Sequence, residues 1–151
     1  MDCFRSEMRE YTSSEGMPYL HDDDQHRSEF GDPPVVVPYA KDYNTCIQEA
    51  KQRIGNAPII EKLTDISDYD TIFVMSPIYW GTYAPEMETA LTGLDFAGKT
   101  VRVISTHEGS GLASMVSDVK RLCVGADVQK NGLAIKGSQA KKSKQKVADW
   151  L

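Results

Sequence analysis

Thr71-Ile72-Phe73-Val74-Met75-Ser76-Pro77-Ile78-Tyr79-Trp80-Gly81-Thr82 carries the strongest structural signal in this 151-residue chain. It opens as an apolar, β-branched run behind the turn-forming Ser67-Asp68-Tyr69-Asp70, the pattern of a buried strand. The strand is expected to run from Thr71 to Met75 and to end at Pro77, because a proline has no N–H to give to a ladder. Gly81 then allows a tight turn after two adjacent aromatics. Open α/β sheets bind ligands at the carboxyl ends of their strands. Tyr79 and Trp80 therefore read in two ways, as a platform for a flat ring system or as core packing.

A second strand, Lys99-Thr100-Val101-Arg102-Val103-Ile104-Ser105, runs into Thr106-His107-Glu108-Gly109-Ser110-Gly111-Leu112. Two successive strands thus end in loops of small, hydroxylic or aromatic residues, which a parallel sheet would bring to one edge. Further out, Val35-Val36-Val37 reads as a short strand. Tyr43, Cys46, Ile47, Ala50 and Ile54 mark a helix over residues 43–54, stopped by Gly55-Asn56. Pro58 favours an extended stretch at Ile59 and Ile60, and Pro85 suits the first turn of a helix with Met87, Ala90, Leu91 and Leu94 as its buried stripe. Leu112, Met115, Val116, Val119 and Leu122 form another helical face. Residues 126–128 and 133–135 form a last strand region interrupted by Asn131-Gly132. The lysine-rich residues 136–146 lead into a helix buried through Val147, Trp150 and Leu151, and read as a solvated face and not as a nucleic-acid contact. Alternating strands and helices imply an α/β fold, a doubly wound parallel sheet with helices on both faces.

Length allows one domain with a substantial core. With 40% hydrophobic and 26% charged residues, the composition excludes fibrous and wholly disordered classes. No run reaches transmembrane length and no leader pattern opens the chain. Cys3, Cys46 and Cys123 lack paired spacing and suit a reducing cytoplasm, the expected location. Residues 1–32 hold nine acids and three bases, whereas the remainder holds 13 acids and 14 bases, so the net charge of −5 belongs to the first segment. That segment is expected to be an acidic polar tail ahead of a domain at 33–151. His21 and His26 flank Asp22-Asp23-Asp24, but without apolar residues to fix a geometry no metal site is expected.

From Val35 to Leu151 the chain resembles the flavodoxin-like family of small FMN-binding proteins. The matching pieces are Ser76-Pro77-Ile78-Tyr79-Trp80-Gly81-Thr82, Leu94-Asp95-Phe96-Ala97-Gly98-Lys99-Thr100, residues 105–112, Lys120-Arg121-Leu122-Cys123 with Gly125-Ala126, and Gly132-Leu133-Ala134-Ile135, in the family's order. The resemblance implies strand order 2-1-3-4-5 and FMN as cofactor. It assigns the flavin ring to Ser76, Pro77, Ile78, Tyr79, Trp80 and Gly81 on one loop, and to Thr106, His107, Glu108, Gly109 and Ser110 on the other. His107 and Glu108 read as an exposed pair or as an acid–base pair. No nucleophile–base–orienter set emerges, and no catalytic residue is assigned.

One family element is missing from the pattern. The family opens with an apolar strand and a hydroxyl-rich loop that holds the FMN phosphate at a helix N-terminus. Residues 1–10 are too polar for a central strand, and no strand leads into Thr12-Ser13-Ser14-Glu15-Gly16. Either the family's second strand pairs directly with the third, or another chain supplies the element, as in a homodimer. The resemblance implies electron transfer or reduction of small acceptors, with an unidentified redox partner. The alternative is a scaffold without its cofactor that acts as a binding module. Neither nucleic acid nor a membrane is expected as a partner.

Overall fold

The computed structural model describes residues 35–36, 39–61 and 63–151. The expected tail at residues 1–32, with its histidines and Cys3, lies outside the described residues, as does Val37.

In chain order the elements are β1 (Val35–Val36), α1 (Tyr43–Gln52), β2 (Ile59–Glu61), β3 (Thr71–Tyr79), β4 (Thr82–Tyr83), α2 (Pro85–Leu91), β5 (Thr100–His107), α3 (Met115–Leu122), β6 (Asp127–Val128), β7 (Leu133–Lys136) and α4 (Lys144–Trp150), the last preceded by a 3-10 turn at Gly137–Lys142. A five-stranded sheet runs β4-β3-β5-β6, with β7 also on β5. β3, β6 and β7 are parallel to β5, and β4 folds back antiparallel on β3. Asn131-Gly132 does interrupt the last strand region: β6 takes the start of β5 and β7 its end.

Helices cover both faces of the sheet, because β3 and β5 alternate two apolar sets. Val74, Val101 and Val103 pack with Phe96, Leu91, Met115 and Val119 on one face. Ile104, Leu133 and Ile135 pack with Val147 and Trp150 of α4 on the other. Arg102 anchors α4 there. Its guanidinium lies 4.0 Å over the Trp150 ring and donates to the carbonyls of Trp150 and Leu151, which satisfies acceptors that a helix end leaves open. Leu151 is exposed, contrary to expectation, because the helix stops one residue before it.

Two more expectations change. β3 does not stop at Pro77 but continues to Tyr79, and Pro77 pairs with Thr106 of β5. Before β4 joins at Ile78, no strand among the described residues lies on the other side of β3, and an edge strand tolerates a proline. Nor does the family's second strand pair with the third: β1 pairs antiparallel with β2 in a separate two-stranded sheet. The side of β3 where the family's first strand would lie is thus an open edge among the described residues. Phe73 and Met75, on one face of that edge, are 41% and 61% exposed.

The α3–β6 turn depends on Gly125. Its φ is +87°, and a Cβ there would meet the Ala97 backbone Cα at 3.2 Å. Gly125→Ala is expected to cost about 1–2 kcal/mol from the left-handed backbone alone, read as a lower urea midpoint with an unchanged slope.

Candidate functional site

β3 and β5 run in register from Thr71↔Thr100 to Pro77↔Thr106, so the segments that follow them leave the sheet side by side. The pairing Tyr79↔Thr82 leaves Trp80-Gly81 as a two-residue hairpin turn. Both residues have positive φ, +47° and +89°, the requirement of a type I′ turn. Asn-Gly is the favoured pair for that geometry. A tryptophan at its first position carries about 1–2 kcal/mol of left-handed strain. The two aromatics also part company. Tyr79 is 7% exposed and belongs to the core, whereas Trp80 is 50% exposed and meets Tyr79 edge-on at 6.0 Å. Core packing thus accounts for Tyr79 but not for Trp80.

Tyr79 is backed by groups that sequence reading left out. Its ring lies 6.4 Å from that of Tyr39, and the Arg53 guanidinium sits 3.9 Å over the Tyr39 ring while pairing at 3.0 Å with Glu86. The Tyr39 hydroxyl is buried beside the Glu86 carboxylate without a hydrogen bond of ordinary geometry. Burial first, and Glu86 second, push this phenol far above its ordinary range, so it stays protonated.

The remaining expected positions divide by role. Ser76 is buried, and its hydroxyl is engaged within the fold: it accepts from the Ala84 N–H at 2.8 Å and donates to the Pro77 carbonyl at 2.9 Å. Pro77 and Ile78 are half-buried, with Ile78 against the main core. Thr106, His107 and Glu108 are half-buried, while Gly109 and Ser110 are exposed. Ser105, fully buried, donates to the Gly111 carbonyl at 3.0 Å and so ties the loop back to its own strand. His107 Nδ1 is buried without a hydrogen-bond partner. His107 and Glu108 are both half-buried, so neither is fully exposed.

The two loops are clasped together. The Ser114 N–H donates to the Gly81 carbonyl at 2.9 Å, and Thr82 Oγ1 donates to Asp118 Oδ2 at 2.6 Å. Burial would raise the Asp118 carboxyl, but hydrogen bonds from Ser114, Thr82 and Arg121 outweigh it and hold the group below the ordinary carboxylate range. Ser114 and Asp118 sit 33 and 36 residues from the groups they bind, so no local spacing announces them.

Neither described thiol suits nucleophilic chemistry. Cys46 and Cys123 are buried, and burial pushes Cys123 up to about 11 and raises Cys46. Among the described residues no cluster of His, Cys, Asp or Glu could hold a metal, and no helix is long and apolar enough to cross a membrane.

A family model described as flavodoxin matches residues 35–151. The chain belongs to the flavodoxin family. Among solved structures, this flavodoxin-family chain is similar to a candidate flavoprotein from Bacteroides uniformis ATCC 8492 at 26% identity and TM-score 0.55, over 67% of this chain and 64% of that one. A flavoprotein from Lactobacillus acidophilus NCFM, solved in complex with FMN, shares the fold at 20% identity and TM-score 0.50, over 77% and 83% of the two chains. A candidate flavoprotein from Bacteroides eggerthii DSM 20697 does so at 19% identity and TM-score 0.54, over 77% and 79%. The flavodoxin-family chain thus spans under two thirds of the length of the first of these relatives. No curated protein matches it.

Proposed function

We propose that this chain binds FMN, with the flavin ring against Trp80 and the loop from Thr106 to Ser110, and that it serves electron transfer or the reduction of a small acceptor. One observation carries the reading: a half-exposed indole is held on a strained turn at the carboxyl end of β3, beside the loop that leaves β5. Turn preference disfavours a tryptophan there, and the half-exposed ring offers a face that a flat ligand would use.

The residues present fit a flavin ring. Trp80 offers a stacking face, and the backbone N–H groups of Trp80, Gly81, Glu108 and Gly109, which lie beyond the ladder pairings, are the donors proposed for the ring's carbonyls and N5. The buried, unpartnered His107 Nδ1 is a polar atom that a ligand group would satisfy. Ser76 supports the strand end from within. FMN, when bound, supplies the redox chemistry; the protein's part is to bind and orient the ring and to limit water around it. The redox partner and association with a second copy along the open edge of β3 belong to this proposal.

FMN titration followed by flavin fluorescence quenching tests it. Saturable, stoichiometric quenching is expected, and its absence at high micromolar FMN would favour the second reading, a flavodoxin scaffold acting without cofactor. The edge of β3 that no described residue covers, where the family's first strand would lie, is the observation on that side. Riboflavin gives a sharper comparison. The sequence ahead of β1 shows no apolar strand leading into a hydroxyl-rich loop, so FMN and riboflavin are expected to bind within about tenfold of each other. An FMN preference above about a thousandfold, the worth of two or three charge-assisted hydrogen bonds, would mean a phosphate anchor outside the described residues.

A further inference from the structure

Four observations meet at the start of α3. Ser114 stands at its N-cap, where a serine ordinarily turns its hydroxyl onto the helix's own first N–H groups, yet this side chain makes no capping bond. The hydroxyl lies instead 2.5 Å from Asp118 Oδ2 and 2.8 Å from the Gly81 carbonyl. A serine hydroxyl has one proton, and the carboxylate is the stronger acceptor. The O–H therefore goes to Asp118, and the Ser114 backbone N–H holds Gly81. The same Oδ2 accepts from Thr82, and Oδ1 faces Arg121, which leaves the carboxylate fully engaged. Finally, the residues flanking the clasp on its two segments, Trp80 and Ala113, have φ of +47° and +46°, strained conformations that persist only where neighbours enforce them.

We infer that Asp118 is a positioning residue for the ring site: through Thr82 and Ser114 it locks the Trp80-Gly81 turn onto the start of α3. The Trp80 indole and the loop from Thr106 to Gly111 then keep one spacing before any ligand arrives. This rests on the flavin reading above. Asp118 needs no contact with the ligand. It supplies the acceptor that makes a strained turn the resting state, so that binding does not have to order it. Removing the carboxylate leaves the turn free to relax from positive φ, which swings the indole away from its place.

The test uses the full chain labelled with 5-fluorotryptophan, which reports Trp80 and Trp150 as separate ¹⁹F resonances. Trp150 packs against Phe73 and Arg102 and serves as the internal control. Asp118→Ala is expected to broaden or shift the Trp80 resonance alone in the ligand-free protein, and to weaken FMN binding by about 10- to 100-fold, the scale of a displaced positioning group. Asp118→Asn keeps an acceptor for Thr82 and Ser114, and should restore most of both readouts. If Asp118→Ala does not fold, Thr82→Val with Ser114→Ala removes the two donors, leaves Asp118 with Arg121, and should move both readouts in the same direction. An unchanged Trp80 resonance and unchanged FMN affinity in these variants would overturn the positioning role while the flavin reading stands. Wild-type protein that binds no FMN would overturn the flavin reading and, with it, the role assigned to Asp118.

Discussion

Arg53→Met is expected to lower folding stability by about 3–5 kcal/mol, the usual consequence of removing one partner of a buried ion pair. Arg53 and Glu86 are 3.0 Å apart, with side chains only 11% and 8% exposed. The guanidinium also covers the Tyr39 ring. Without it, the buried Glu86 carboxylate would remain beside the Tyr39 hydroxyl and lose the cation that offsets its lost hydration. Arg53→Met combined with Glu86→Leu should recover much of the loss, because two apolar groups can replace a buried pair at little net cost. Urea unfolding of the two single variants and the double variant measures the coupling. A single-variant loss below about 1 kcal/mol would mean that water reaches Glu86 and that the pair behaves as a surface bridge. The Tyr39–Tyr79 contact hangs on the same pair, so looser flavin binding should accompany the destabilisation.

Trp80→Asn is the second large effect, and its value lies in separating stability from binding. Asparagine is favoured at the first position of a type I′ turn and should relieve about 1–2 kcal/mol of backbone strain. Loss of the edge contact with Tyr79 costs about 0.5–1.5 kcal/mol. The two nearly cancel, so the unfolding midpoint should stay close to that of the wild type. Flavin affinity should nevertheless fall by about 1–3 kcal/mol, the range for losing one aromatic stacking partner. Thermal melts of the apoprotein and FMN titrations, run on the same preparation, check both. A protein that loses stability in proportion to affinity would return Trp80 to the core, and unchanged affinity would remove it from the ring site.

Much of the architecture was legible because it depends on periodicity. The apolar stripes of α2 and α3, Pro85 at the first turn of α2 and the broken final strand all follow from side-chain spacing that local backbone geometry enforces. The end of β3 was misread for the opposite reason. Whether Pro77 breaks a strand depends on what lies on its outer side, and no window of sequence contains that neighbour. The site divides in the same way. Trp80 and the loop after His107 could be picked out from residue types at two strand ends. Ser114 and Asp118 could not, because a serine before a helix reads as a cap and an aspartate four residues on reads as a solvated charge.

Hydrophobic period and strand-end chemistry are local properties, so residue order was enough to specify an α/β chain of the flavodoxin kind with two loops at one sheet edge. Folding alone settles that β1 pairs with β2, that no strand among the described residues covers the outer side of β3 before β4 joins, that Tyr79 is buried while Trp80 is not, and that Thr82, Ser114 and Asp118 close a clasp between the loops. Those outcomes turn on which groups, tens of residues apart, compete for the same space and the same hydrogen-bonding atoms. That competition exists only once the chain has folded.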